Sequence, residues 1–100
     1  MVGFGVFEML EKSVESALVR GVKKRRAIAP KGEKLGKGWP DRIVLAYPGK
    51  IAFVELKRIG GTIRKRQKLI GKLLRSLGFT VVYLFTVEEV EAWLNEFFGD

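Results

Sequence analysis

The chain has 100 residues, the size of one domain, and 47% of them are hydrophobic, which suffices for one modest core and excludes intrinsic disorder. It has no cysteine and no histidine, which excludes disulfide scaffolds, thiol nucleophiles, Ser-His-Asp triads and His-ligated metal sites. Any chemistry therefore depends on carboxylates, lysines and a hard metal ion. No apolar run approaches the roughly 18 residues that span a bilayer, and no signal-peptide pattern begins the chain, so we expect a cytoplasmic protein.

The net charge of +8 is concentrated in the middle of the chain. Between Arg20 and Arg75 lie 18 basic and three acidic residues, a net charge of +15, whereas the two flanking segments are acidic. A concentrated positive field favours a polyanionic partner, most simply nucleic acid. The alternative is a soluble surface that happens to be rich in lysine.

The first half of the chain predicts a helix followed by a β-hairpin. Apolar residues at helical spacing predict an amphipathic helix over residues 7–25. A short strand is expected at residues 27–29, and the glycine-rich stretch 31–39 is predicted to be a mobile basic loop. Residues 42–47 and 51–57 are β-branched and apolar runs around a Pro-Gly turn, and therefore predict an antiparallel hairpin.

The second half of the chain predicts alternating helix and strand. A helix over residues 63–77 begins after Gly60-Gly61 and stops at Gly78. The run at residues 79–85 is almost wholly apolar, which is typical of a strand buried on both faces.

Thr86 and Glu89 have the spacing of a capping box and predict a last helix. The residues expected to face inward from it are Val90, Trp93, Leu94 and Phe97. The predicted order is αβββαβα, an α/β fold whose central mixed sheet has helices on both faces, in a single domain over residues 1–100.

Three charged residues converge if the hairpin forms as predicted. A turn centred between Pro48 and Gly49 puts Asp41 opposite Leu56, give or take one residue. Glu55 and Lys57 are two apart on one strand and share a face. Two close carboxylates repel unless a cation lies between them, and Mg²⁺ is the ion that fits best without histidine or cysteine. The neighbouring lysine can then polarise a water or neutralise charge on a phosphate.

Each of the three residues also has a structural interpretation. Asp41 follows Pro40 and is placed to cap a turn. Glu55 and Lys57 could form a solvated strand face. Glu55 fits that interpretation poorly, because its neighbours are those of a buried strand and a lone carboxylate there needs a partner or a metal.

The segments GWPDR (38–42), IAFVELK (51–57) and GG (60–61), followed by a helix that carries Gln67, resemble the VRR-NUC branch of the PD-(D/E)XK nucleases. The resemblance extends from about Leu10 to Trp93. It implies a restriction-endonuclease-like core, related in fold to archaeal Holliday-junction resolvases. It also implies a prokaryotic, phage or archaeal host cell.

The resemblance implies a role for four positions of the hairpin. Asp41 and Glu55 would be the metal-binding carboxylates, for Mg²⁺ or Mn²⁺, with the backbone carbonyl of Leu56 as a further ligand. Lys57 would be the catalytic lysine.

Gln67 matches the glutamine that the family carries on the helix after the hairpin. It lies on the stripe of Ile63, Ile70 and Leu74, where a polar residue is unexpected. A core amide with its hydrogen bonds satisfied is an equally good interpretation of Gln67.

The family also has a glutamate on the first helix, which would be a catalytic and metal-facing residue. Counting back from residue 27 favours Glu15. Glu11 lies one turn earlier on the same side and is the alternative, and either could be a plain exposed charge.

The resemblance and the charge pattern together predict a metal-dependent DNA endonuclease, selective for a four-way junction or a flap. The candidate DNA-binding residues are Lys31, Lys34, Lys37, Arg42, Arg64, Lys65 and Arg66. Trp39 could stack on a base or belong to the core. Symmetric cutting of a junction needs two active sites, so we expect a homodimer, with Trp93, Phe97 and Phe98 as a plausible interface. The alternative is a non-catalytic basic module that binds nucleic acid.

Overall fold

The computed structural model describes the backbone of residues 4–100 and the side chains of residues 10–100. The helices and strands are α1 (Phe4–Lys24), β1 (Arg42–Ala46), β2 (Lys50–Leu56), α2 (Lys65–Ser76), β3 (Thr80–Leu84) and α3 (Val87–Phe98). The basic loop contains one 3₁₀ turn at Glu33–Leu35. Every helix and both strands of the hairpin therefore lie close to their predicted positions.

The sheet is mixed, as predicted, and β2 is its central strand. β1 runs antiparallel to β2, with Arg42 opposite Val54. β3 runs parallel to β2, with Glu55 beside Tyr83, and α2 makes the connection between these two strands. The side chains of β2 consequently alternate between two helix-covered faces.

The predicted strand at residues 27–29 is not a full strand, so the described order is αββαβα and the sheet has three strands. Ile28 and Lys31 each form an isolated bridge to β1, opposite Leu45 and Arg42. A regular ladder does not continue between them because Pro30 has no N–H to donate. The Pro30 carbonyl still accepts a bond of 2.9 Å from the Ile43 N–H.

One face of the sheet is covered by α1 and α3 and holds the larger core. We call it the α1/α3 face. Its buried side chains are Val14, Leu18, Val22, Val44, Ala52, Val54, Leu56, Leu84, Val90 and Leu94. Trp93 and Phe97 from α3 are half-buried against this core and stack on each other with ring centroids 4.7 Å apart.

The opposite face is covered by α2 and buries fewer side chains. We call it the α2 face. Its buried apolar residues are Phe53, Leu74 and Val81. Trp39 packs there, with its ring centroid 6.2 Å from that of Phe53, which agrees with the core interpretation of this tryptophan. On the outer side of α2, Leu73 remains exposed.

The prediction that the strand at residues 79–85 is buried on both faces is wrong in part. Val81 and Leu84 are buried, but Thr80 is exposed and Tyr83 is half-buried. β3 is an edge strand, so one side of it lacks a neighbour and α2 covers it incompletely.

The predicted capping box opens α3 with one difference. The Thr86 hydroxyl accepts a bond of 3.0 Å from the Glu89 N–H, as expected. The Glu89 carboxylate accepts from the Phe85 N–H at 2.9 Å, one residue before the cap. No helix in the described part of the chain combines the length and apolarity that crossing a membrane requires.

Candidate active site

The hairpin register brings Asp41 and Glu55 together at one end of the sheet. Arg42 pairs with Val54, so Asp41, the residue before Arg42, lies opposite Glu55. The predicted partner of Asp41 was Leu56, give or take one residue, so the observed register falls within that margin. The Asp41 N–H donates to Glu55 Oε1 at 3.1 Å. The Leu56 N–H in turn donates to Asp41 Oδ2 at 2.9 Å. Each carboxylate is thus fixed by a backbone amide of the other strand.

Glu55 is a buried ionisable residue at the centre of this arrangement. It is 1% exposed, and its second oxygen, Oε2, is buried without a hydrogen-bond partner. The nearest cation is Lys57, whose Nζ lies 4.0 Å from that oxygen. A solvated strand face is therefore not what the structure has at Glu55. Burying a carboxylate oxygen without a hydrogen-bond partner costs folding free energy unless a cation or a proton binds to it.

The pKa of Glu55 is raised to about 8 from its ordinary value of 4.5, mainly by burial and also by the neighbouring carboxyl group of Asp41, through a side-chain hydrogen bond and its negative charge. The charge of Lys57 and the hydrogen bond from the Asp41 N–H act in the opposite direction and lower this pKa. At neutral pH the pair of carboxylates therefore retains a proton unless a metal cation replaces it.

The donor set fits a hard divalent cation at this position. Carboxylate oxygens are the ligands that Mg²⁺ and Mn²⁺ prefer, and the orphaned Oε2 of Glu55 supplies one. Within residues 10–100, the structure brings together no group of three or more Asp, Glu, His or Cys side chains that could hold a metal. Asp41 and Glu55 would thus need ligands of another kind, and the predicted carbonyl of Leu56 is one.

The Leu56 carbonyl belongs to the last residue of β2. Leu56 is in register with Leu84 of β3, and the next residue, Lys57, donates its N–H to the Leu84 carbonyl at 2.9 Å. Metal ligation by the Leu56 carbonyl stays a prediction.

Gln67 caps the start of α2. Its side-chain Oε1 accepts a bond of 2.8 Å from the Arg64 N–H, which would otherwise lack an intrahelical partner. This contact supports the interpretation of Gln67 as an amide with a structural partner, and a catalytic role for it stays a prediction.

The carboxylate of Glu15, the glutamate predicted to face the metal, is bound by Arg42. This carboxylate accepts a bond of 2.9 Å from Arg42 Nε, and Arg42 Nη1 donates to the Ala29 carbonyl at 2.8 Å. The Arg42 side chain is only 16% exposed. DNA binding by Arg42 and metal binding by Glu15 both stay predictions, and so does the alternative of Glu11, which is half-buried one turn earlier.

The basic loop is attached to the site at both of its ends. The Gly32 N–H donates to the Asp41 carbonyl at 2.9 Å, so the loop begins and ends at the same point. Arg66 Nε donates to the Lys37 carbonyl at 2.8 Å, which joins the loop to the first turn of α2. A side chain at Gly38 would strain this contact, because its Cβ would lie 2.6 Å from the Arg66 side chain at a φ of +83°.

The predicted DNA-binding residues other than Arg42 are all exposed, on this loop and at the start of α2: Lys31, Lys34, Lys37, Arg64, Lys65 and Arg66. Because the loop and α2 are joined, these charges form one basic edge next to Asp41. We call this set the basic edge.

Tyr83 is a residue of the site region that the sequence reasoning missed. It is the in-register neighbour of Glu55 on β3, so the two side chains lie on the same face. Its hydroxyl approaches Gly71 so closely that a Cβ there would lie 2.4 Å away. The signal available in the sequence was an amphipathic tyrosine in an otherwise apolar strand.

A scan of the chain against protein-family models finds no match, and a search of curated proteins finds none either.

Proposed function

We propose that the protein is a metal-dependent DNA endonuclease that hydrolyses phosphodiester bonds in a structured substrate, a four-way junction or a flap. The observation that carries the proposal is the buried Glu55 with its orphaned Oε2, next to Asp41 and Lys57. The pattern of these residues and its resemblance to the VRR-NUC nucleases supply the reaction class.

Asp41 and Glu55 would hold Mg²⁺ or Mn²⁺, with the Leu56 carbonyl as a further ligand. A bound ion of this kind lowers the pKa of a coordinated water and polarises a phosphoryl oxygen. The ammonium of Lys57, whose Nζ lies 4.0 Å from Glu55 Oε2, would orient a water and neutralise charge that builds on the phosphate.

The basic edge would bind the DNA backbone. Lysines and arginines that contact phosphates fix position without reading sequence, which suits an enzyme that recognises DNA by shape. A domain of this size covers little DNA alone, so a homodimer is part of the proposal, with Trp93, Phe97 and Phe98 as its surface. Light scattering of the protein at working concentration tests the dimer, and a clean monomer counts against junction resolution.

The test is cleavage of end-labelled four-way junction, flap, linear duplex and single-stranded DNA in Mg²⁺, Mn²⁺ or EDTA. We expect cutting with either metal and none in EDTA. Lys57→Ala should lower the rate by about 10²- to 10⁴-fold, the usual size of such a contribution. Lys72→Ala, which removes an exposed lysine from the outer side of α2, is the matched control and should cut like the wild type.

The competing function is a basic module that binds nucleic acid without cutting it. It predicts tight, salt-sensitive binding with no cleavage in any metal, and that result would overturn the proposal. Equal cutting by wild type and Lys57→Ala would point to a contaminating nuclease and overturn it as well.

A further inference from the structure

We propose that Glu15 serves the site as a positioning residue that acts through Arg42, and is not itself a metal ligand. The inference rests on the proposed function, because it concerns how Asp41 is held in place for a cation. It differs from the expectation that the resemblance implies for Glu15.

The guanidinium of Arg42 joins three separate parts of the chain. Nε binds the Glu15 carboxylate of α1 at 2.9 Å, and Nη1 binds the Ala29 carbonyl at 2.8 Å. Arg42 itself is the first residue of β1. Both contacts are partly shielded from water, since the side chains of Arg42 and Glu15 are 16% and 33% exposed. Because the guanidinium is planar and both of its partners are fixed, Arg42 can move little.

Asp41 depends on this anchor because it lies just outside the regular sheet. The ladder between β1 and β2 has Arg42 opposite Val54 as its last pair, and Asp41 precedes it. On the other side, the Gly32 N–H binds the Asp41 carbonyl at 2.9 Å. The Ala29 carbonyl, three residues before Gly32, is the oxygen that Arg42 holds. Arg42 therefore fixes both the residue after Asp41 and the segment that pairs with Asp41.

The two faces of the sheet separate Glu15 from the proposed metal site. Arg42 alternates with Asp41 along the strand and is two residues from Val44, which belongs to the core of the α1/α3 face. To bind a cation held by Asp41 and Glu55, the Glu15 carboxylate would have to leave Arg42. Arg42 would then keep no acidic partner among the described residues. The loss would leave the half-buried guanidinium charge of Arg42 uncompensated, which is unfavourable.

The test is a double-mutant cycle on Mn²⁺ affinity, measured by calorimetry and by the electron paramagnetic resonance signal of the free ion. The variants are Glu15→Gln, Arg42→Gln and the two combined. Glu91→Gln, which removes an exposed glutamate from α3, controls for the change of charge. All are compared at a temperature at which circular dichroism shows each one folded.

We expect each single substitution to weaken Mn²⁺ binding by about tenfold or more, the usual cost of losing a residue that orients a ligand. The double variant should bind no more weakly than the weaker single variant, because both remove the same contact. Arg42→Lys keeps the charge but cannot bridge both oxygens, so it should also bind Mn²⁺ more weakly than the wild type.

Three results would overturn the inference. If Glu15 were a ligand, Arg42→Gln would release it, and binding would be unchanged or tighter. If Glu15 and Arg42 acted independently, the losses of Mn²⁺ binding free energy in the two single variants would add up in the double variant. A purely structural ion pair would lower the urea midpoint and leave the Mn²⁺ affinity of the folded protein unchanged.

The proposed function can fail separately from this inference. A wild type that binds no Mn²⁺, or an Asp41→Asn variant that binds it equally well, would refute the metal site and the positioning role with it. A wild type that binds Mn²⁺ through Asp41, together with any of the three results above, would refute only the positioning role.

Discussion

The α1/α3 face and the α2 face of the sheet differ in what they bury. Among the side chains that the structure describes, the first buries ten apolar ones between the sheet and two helices. The second has three buried apolar residues under one helix and also contains the buried carboxylate of Glu55. The same strand, β2, supplies both faces, because its even-numbered side chains point one way and its odd-numbered ones the other.

This difference separates the larger apolar core from the proposed site. Burial of apolar surface on the α1/α3 face favours folding, whereas burial of a charge on the α2 face opposes it. A site that places a carboxylate in a dry environment gains affinity for a cation and lowers the stability of the cation-free protein. The larger core offsets that cost.

The largest expected effect is a loss of stability of the metal-free protein as the pH rises. The folded pKa of Glu55, about 8, is above its ordinary value of 4.5, so between these values the folded state binds more protons than the unfolded state. The free energy of unfolding must then fall with rising pH through this range. The total is on the order of 5 kcal/mol, at about 1.4 kcal/mol per pH unit between the two pKa values. Urea denaturation in EDTA at a series of pH values measures it.

Glu55→Gln is the control for this pH dependence and should flatten it, because the amide does not titrate. Addition of Mg²⁺ to the wild type should also flatten it, since binding stabilises the ionised form. An unchanged slope in Glu55→Gln would mean that another group causes the loss.

The next effect compares the two cores directly. Leu18, which is 0% exposed on the α1/α3 face, and Leu74, which is 3% exposed on the α2 face, are each replaced with alanine. We expect Leu18→Ala to cost about 3–5 kcal/mol and Leu74→Ala about 2–3 kcal/mol in urea denaturation. The smaller core borders the exposed Leu73, so its cavity can relax more easily. Equal costs would contradict the distinction between the faces.

The smallest effect concerns the end of α3, which closes the α1/α3 face. Arg25 binds Asp100 Oδ2 at 2.9 Å and Asn95 Oδ1 at 3.0 Å, and it lies over the Phe98 ring. Arg25→Ala should cost about 1 kcal/mol, because the contacts are at the surface and salt screens them. Lys23→Ala, at an exposed neighbour, should cost less. Thermal unfolding at low and high salt measures both, and a cost for Arg25→Ala no larger than that for Lys23→Ala would contradict it.

The hairpin and its convergence of Asp41, Glu55 and Lys57 could be predicted because local signals determine them. A Pro-Gly turn sets the register, and the period of two along a strand sets the face. The burial of Glu55 was also visible, since its sequence neighbours are apolar. The helices followed from periodicity and capping for the same local reason.

Contacts between distant parts of the chain could not be predicted in this way. The ion pair of Glu15 and Arg42 joins residues 27 positions apart. Nothing in the sequence around either residue distinguishes it from an ordinary surface charge. The incomplete burial of β3 depends on its place at the edge of the sheet. Sheet order is a tertiary property that no pattern within residues 79–85 encodes.

The central position of β2 implies that the two halves of the site differ in how easily they open. Glu55 lies on a strand that is paired on both sides. The backbone amides of such strands are among the last to exchange their hydrogen with solvent. Asp41 lies beyond the last residue pair of the outer strand β1, and we expect this end of the strand to open at a lower free energy than β2 in spite of the Arg42 contacts. Local opening of β1 would separate the carboxylates while the rest of the protein stays folded. A cation bound between them would then slow amide exchange at Asp41 and Arg42 far more than at Glu55.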